Sequence, residues 1–212
     1  NKTLKEKTLL YNITLQINKG EFVGILGETG SGKSCIANAI LGHFEHLNSY
    51  NKDNSYSYIN GSISYASQLP FIINDTIKNN ILFFNEENTE RYQHVLTICQ
   101  LTQDLETFPG RDFTEISSNG TNISGGQKAR VSLARAVYNE ADIYLFDDPL
   151  SSVDSIIASN IFNKVLLDFL KDKTKIIIKH DLTNLERMDK IIYVEEGKIK
   201  WIGNYKEFIE SH

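Results

Sequence analysis

Eight residues constrain this chain more than any others: Gly27-Glu28-Thr29-Gly30-Ser31-Gly32-Lys33-Ser34. Before them, Glu21 to Leu26 (EFVGIL) is an apolar run bounded by Gly20 and Gly27, the pattern of a short buried strand. Glycines at 27, 30 and 32 let the backbone curl with its N–H groups inward, and no Cβ blocks the approach of an anion. Lys33 adds a positive charge suited to the β and γ phosphates of a nucleotide, and the Ser34 hydroxyl suits Mg²⁺. After them, Ser34 to Phe44 (SCIANAILGHF) places Ile36, Ala37, Ile40, Leu41 and Phe44 at helical spacing. The loop therefore opens a helix whose N-terminal dipole favours an anion. Strand, loop and helix in that order set it apart from a chance Gly-rich turn.

At 212 residues and 41% hydrophobic content the chain has room for one large α/β domain or two small ones. We read it as a single domain, residues 1–212. A formal net charge of −5 argues against a nucleic-acid or polybasic membrane surface, so a phosphate must be held by local dipoles and Lys33. Cys35 and Cys99 are the only cysteines, without metal-like spacing, and read as packing thiols in a reducing compartment. There is no signal-peptide pattern and no apolar run of membrane-spanning length, so no membrane insertion of this segment is expected. Asn-x-Ser/Thr triplets occur at Asn12, Asn60, Asn74, Asn119 and Asn122; all are read as unmodified.

Along the chain, Leu9, Tyr11, Ile13, Leu15 and Ile17 alternate as in a strand within Asn1 to Gly20, with Asn18-Lys19-Gly20 as the turn. The abrupt beginning suggests an excised domain. Residues 47–60 (LNSYNKDNSYSYIN) are polar and read as a flexible surface loop, because Tyr50, Tyr56 and Tyr58 lack the interleaved cations of a nucleic-acid stacking surface. Gly61 to Gln68 alternates as a strand ending at Gln68. ERYQHVLTICQLTQDLETF, from Glu90, has the periodicity of one or two helices, inside a helical subdomain placed at 69–139. DIYLF ends in Asp147-Asp148 and KIIIK ends in His180, so three buried strands each deliver polar groups at their carboxyl ends, as an open α/β sheet does to build a site. IIYVEEGKIKWI reads as a hairpin turning at Glu196-Gly197, followed by a short terminal helix.

In Ile123-Ser124-Gly125-Gly126-Gln127, Ser124 and Gln127 have the spacing of a capping box ahead of the amphipathic run KARVSLARAVY. Two glycines in that helix's first turn cost helix stability and expose N–H groups, which suits a second anion contact.

GETGSGKS, the strand-ending Gln68, ISGGQ, IYLFDDPLSSVD and IIIKHD, in this order, resemble the nucleotide-binding domain of an ATP-binding cassette (ABC) transporter, from about Leu9 to the end. Thr76 to Phe83 (TIKNNILF), Thr114-Glu115-Ile116, SLARAVY and DDPLSSVD look most like the first such domain of the C subfamily, the multidrug-resistance-associated type. The implied fold is the P-loop NTPase ABC ATPase core: a mainly parallel sheet flanked by helices, an antiparallel β part, and a helical signature subdomain. The resemblance implies ATP and Mg²⁺ as ligands. Gly27, Glu28, Thr29, Gly30, Ser31, Gly32, Lys33, Ser34 and Cys35 would line the phosphates; Ser34, Gln68 and Asp147 would surround the metal. Ser124, Gly125, Gly126 and Gln127 would contact ATP on a partner domain, Asp154 would signal across that dimer, and His180 would sense the γ-phosphate. Gln68 and LPFIINDTIKNNI would dock against membrane domains, at the cytoplasmic face of a membrane.

Departures from the pattern carry information. Asp148 stands where competent family members have Glu, so the carboxylate that polarises the attacking water is shorter by one methylene and hydrolysis at this site is expected to be slow. Lys179 replaces the usual hydroxyl residue before His180, and Ser117 to Gly120 replaces an acidic loop. The adenine-stacking aromatic is expected N-terminal to Leu9, with Tyr11 unassigned. The resemblance implies an ATPase module of an exporter, with a second nucleotide-binding domain and transmembrane domains as partners. The alternative is a regulatory module gating a channel or receptor.

Overall fold

A computed structural model of the chain describes residues 9–43, 58–117 and 121–211. In chain order it contains β1 (Phe22–Leu26), α1 (Lys33–Ile40), β2 (Ile63–Ala66), α2 (Ile77–Leu82), α3 (Thr89–Ile98), α4 (Thr102–Thr107) and a 3₁₀ turn (Arg111–Phe113). There follow α5 (Gly125–Tyr138), β3 (Ile143–Asp147), α6 (Ser155–Ile161) running into a π-helical segment (Phe162–Phe169), and β4 (Thr174–Ile178). Another 3₁₀ turn (Leu185–Arg187), β5 (Lys190–Glu195), β6 (Lys198–Gly203) and α7 (Tyr205–Ser211) complete it. Parallel pairing, an antiparallel hairpin and flanking helices make this the mixed α/β P-loop NTPase class read from the motifs.

Contacts divide the chain into two compact units, Asn1–Gly61 with Ile176–His212, and Ser62–Lys175. In the first, the strands follow the order β4-β1-β5-β6. β1 and β5 are parallel, with Val23 opposite Lys190 and Leu26 opposite Tyr193. Every residue of β1 and β4 is buried, the signature of strands covered on both faces; β1 is apolar throughout, and β4 buries Thr174 and Lys175 along with Ile176, Ile177 and Ile178. β5 and β6 form the antiparallel hairpin at Glu196-Gly197, whose φ values of 48° and 70° match the left-handed pair that a two-residue turn needs.

The strand read over Asn1 to Gly20 does not form among residues 9–20. Ile13, Leu15 and Ile17 are half-buried between exposed neighbours, so the alternation in sequence does report facing. No ladder is made; the positive φ of Asn12, 49°, turns the backbone, and Tyr11 N–H reaches the hairpin turn at Gly197 O, 2.9 Å away. α1 ends at Ile40, with Leu41 as its cap and Gly42 at φ 76°, short of the expected Phe44, which lies outside the described residues. Of the loop at 47–60 only 58–60 are described, without regular structure, and Ser118 to Gly120 lie outside as well.

In the second unit β2 and β3 run parallel, with Ile63 opposite Ile143 and Ala66 opposite Phe146; β2 is shorter than the Gly61–Gln68 stretch read as strand. Thr76 caps α2 by accepting from Asn79 N–H, and Asn88 caps α3 by accepting from Arg91 N–H. The run from Glu90 is two helices, α3 and α4. α5 is buried from Ala129 to Tyr138 except at Arg135, which marks it as the interior helix of this unit. Ser64 Oγ donates to Ala136 O at 2.7 Å, tying β2 to α5. Arg135 spans to α2 instead, donating to Asn80 O at 2.6 Å and Asn80 Oδ1 at 2.9 Å, and burial lowers its guanidinium to about 10.

Candidate nucleotide-binding site

In the first unit β1 delivers the chain into the glycine-rich loop. A Cβ on Gly27 would lie 2.2 Å from Val194 O and 2.7 Å from Ser31 Oγ, so β5 and the loop itself leave no room for a side chain. Gly32, at φ 106°, stands at the N-cap of α1 and supplies no side-chain cap, which leaves the first-turn amides directed at the loop. Lys33 Nζ donates to Gly27 O and Glu28 O, 2.7 Å each, and so curls across the loop mouth. Ser31 Oγ is buried without a hydrogen-bond partner among the described residues, a polar atom left over inside an anion-shaped cradle. Gly197 N–H donates to Ser31 O at 2.8 Å, so the hairpin turn braces the back of the loop. Glu28, Thr29 and Gly30 are exposed; Lys33, Ser34 and Cys35 are half-buried. These groups fit a phosphate anion.

His180 leaves the same end of the sheet, because Lys179 N–H donates to Ile25 O at 3.0 Å, one residue before β1 ends. Lys179 is 8% exposed, and its ammonium is received by Thr183 O and Thr183 Oγ1, both at 2.8 Å, and by Asp181 Oδ1 at 3.0 Å. Burial alone raises the Asp181 carboxyl, but hydrogen bonds from Thr183 and Lys179 outweigh it and hold Asp181 below the usual carboxylate range. Tyr11 is 45% exposed and its ring lies against Gly197, with Lys198 Nζ 5.8 Å from its centroid.

The other sequence-read residues belong to the second unit. Asp147 ends β3 and is 4% exposed; Tyr65 on β2 has its hydroxyl pKa raised by burial and then by the Asp147 charge. Asp148 follows at φ 46°, in the left-handed region that Asp tolerates better than most residues. The parallel register brings the exposed Gln68 out at the same sheet end as Asp148. The capping box is present in full: Ser124 Oγ accepts from Gln127 N–H at 3.2 Å, and Gln127 Oε1 accepts from Ser124 N–H at 2.8 Å. Gly125 faces open space, whereas a Cβ on Gly126 would lie 3.1 Å from Ser152 O. Ser152 O therefore leaves a side chain at position 126 little room. Asp154 caps α6, accepting from Ile156 N–H at 2.9 Å.

Ser34 in the first unit offers a hard oxygen donor of the kind Mg²⁺ takes, and Gln68 and Asp147 offer such donors in the second. Among the described residues no group of three His, Cys, Asp or Glu could hold a metal unaided. Two residues escaped the sequence reading. Asp104 accepts from Gln127 Nε2 at 3.0 Å and from Arg130 at 2.5 Å, a contact without local sequence signal because it joins α4 to α5. Arg130 itself sits one turn after Gln127, a spacing that hinted at a shared face.

Residues 10–151 match the family model described as ABC transporter, a stretch that holds the glycine-rich loop, Gln68, ISGGQ and the Asp147-Asp148 pair. The chain belongs to the ABC transporter family. It is 45% identical over 208 residues to ABC transporter C family member 8 of Dictyostelium discoideum, covering 97% of this chain and 13% of that protein. It is 43% identical over 204 residues to ATP-binding cassette sub-family C member 2 of Rattus norvegicus, covering 95% of this chain and 13% of that one. A multidrug resistance protein of Leishmania tarentolae is 42% identical over 205 residues, 97% of this chain and 13% of its own length. The chain thus spans about 13% of the relatives it matches. This ABC transporter segment has, among its described residues, no helix long and apolar enough to cross a membrane.

Proposed function

We propose that this chain is the first nucleotide-binding domain of a subfamily C exporter. It binds Mg-ATP, closes head to tail on a second such domain, and couples binding and hydrolysis to solute movement through transmembrane domains at the cytoplasmic face of a membrane. The observation that carries the reading is the glycine-rich loop ahead of a side-chain-uncapped α1, with Lys33 folded over its mouth. Lys33 and the amides of residues 27–35 bind the phosphates; Ser34, Gln68 and Asp147 hold the metal, which supplies charge neutralisation and orientation of the phosphate oxygens. Asp148 takes the proton of the attacking water, Gln68 and His180 orient the reacting groups, and Ser124 to Gln127 complete the partner's site.

A group of exposed apolar side chains fits a docking face for the membrane domains. Leu69 is 84%, Phe71 58% and Phe84 93% exposed, and Phe83 and Phe84 border a pocket of about 280 Å³ that Ile73, Asp75 and Asn79 also line. Arg135 of α5 stacks on Phe83, 4.4 Å from its centroid, so the helix that bears ISGGQ leans on the face offered to the membrane domains.

Calorimetry of the chain with Mg-ATP tests the reading. Binding that disappears in Lys33→Ala supports it; equal affinity of wild type and Lys33→Ala would refute it.

A further inference from the structure

The geometry points to Asp104 as the positioning residue of the α5 N-terminus: it fixes which way the Gln127 amide faces, and through that amide holds Ser124. Its functional consequence rests on the reading that α5 completes a nucleotide site.

A glutamine side chain carries one accepting oxygen and one donating nitrogen. In Gln127 both are committed inside the chain: Oε1 accepts from Ser124 N–H at 2.8 Å and Nε2 donates to Asp104 Oδ1 at 3.0 Å. An ionised carboxylate only accepts, so the group facing Asp104 must be the NH₂ and the oxygen must turn to Ser124. A flipped amide would set NH₂ against the Ser124 N–H and carbonyl against carboxylate, losing half of the capping box. Asp104 thereby selects the one orientation in which the box closes.

Asp104 is itself held. Its second oxygen accepts from Arg130 at 2.5 Å, and the Arg130 side chain is 8% exposed with Nε lacking a partner among the described residues. The buried guanidinium needs this carboxylate, and the carboxylate, 19% exposed, is anchored by it in turn. Arg130 and Gln127 stand one turn apart on α5 and grip the two oxygens of one carboxylate on α4. Ser124 is thus set from beneath by α4, while Gly126 abuts Ser152 O, and between these two supports Gly125 faces open space. Through the Gln127 amide, Asp104 thus bears on Ser124 and the first-turn amides without itself reaching a bound phosphate.

The exchange of Gln127→Glu with Asp104→Asn tests this. A glutamate introduced at position 127 can still accept from Ser124 N–H, but it meets Asp104 as a second carboxylate; an asparagine introduced at position 104 restores a donor facing it. Two readouts apply: hydrogen exchange of the Ser124 and Gly125 amides in the chain, and kcat and KM for ATP hydrolysis by the complete transporter. We expect Gln127→Glu and Asp104→Ala each to speed Ser124 exchange and to lower kcat by about tenfold to a hundredfold with KM little changed. The double variant should recover both. If Gln127→Glu stays impaired in the double variant, Gln127 contacts the nucleotide directly and the proposal fails. If neither single variant alters Ser124 exchange, Asp104 holds nothing and it also fails. Gly125→Asp tests the underlying reading separately: unchanged turnover there, with Ser124 exchange still following the paired substitutions, removes the nucleotide site and leaves the Asp104 contact standing.

Discussion

Replacing Asp148 by Glu tests the proposal that this shorter carboxylate slows hydrolysis. Asp148 follows the buried end of β3 with its backbone at φ 46°, so the side chain starts from a left-handed residue. Adding one methylene extends the carboxylate by about 1.5 Å along the chain. If the natural residue falls short of the attacking water by about 1 Å, the loss is on the order of a hundredfold in rate. At about 1.4 kcal/mol per decade this is about 2.8 kcal/mol of barrier. Glu tolerates left-handed backbone less well than Asp, which costs up to about 1 kcal/mol of fold stability but does not bear on reach. Steady-state hydrolysis of Mg-ATP by wild type, Asp148→Glu and Lys33→Ala, each checked for ATP binding, measures the effect. We expect Asp148→Glu to gain one to two decades (about tenfold to a hundredfold) over a slow wild type, with Lys33→Ala as the floor. Brisk turnover by wild type together with no gain in Asp148→Glu would refute the argument from reach.

Four further perturbations have defined outcomes. Gly197→Ala forces a Cβ to within 2.3 Å of Leu9 O at φ 70°, and should cost about 1–3 kcal/mol in urea denaturation while weakening ATP binding, since Gly197 also braces Ser31. Asp181 has a depressed carboxyl pKa, so its contribution to stability is complete above the unfolded value near 4 and is lost as pH falls through the lower folded value. Thermal melts of Asp181→Asn should therefore show a shallower loss of stability below about pH 4 than wild type. Tyr138→Phe removes a hydroxyl that donates to Glu86 O at 2.7 Å and accepts from Asn88 N–H at 2.8 Å, and should lower stability by about 1–2 kcal/mol in the same denaturation assay. Phe84→Ser, at a residue 93% exposed, should change stability by less than about 0.5 kcal/mol yet reduce transport-coupled hydrolysis in the complete transporter.

What could be read from the residue order is what depends on neighbours along the chain. The capping box needs only Ser124 and Gln127 three apart, the hairpin needs only Glu196-Gly197 between two apolar runs, and the glycine-rich loop needs a strand before and a helix after; all three are present. The alternation foretold facing at Ile13, Leu15 and Ile17 but not at the exposed Leu9 and Tyr11, nor whether a ladder forms, because a strand exists only when another backbone meets its N–H and C=O groups, and here Asn12 turns away. The Lys179 clamp on Thr183 and Asp181 was visible only as an unexplained lysine, although its partners lie within four residues, because folding back requires the burial that β4 imposes. Asp104 meets Gln127 from 23 residues away and Arg135 meets Asn80 from 55, separations at which periodicity carries no signal. Residue order alone therefore determined the local elements and the candidate anion-binding and acid–base groups that they bear. Tertiary packing decided how each polar group is oriented, since a buried donor or acceptor takes whichever partner the neighbouring element presents.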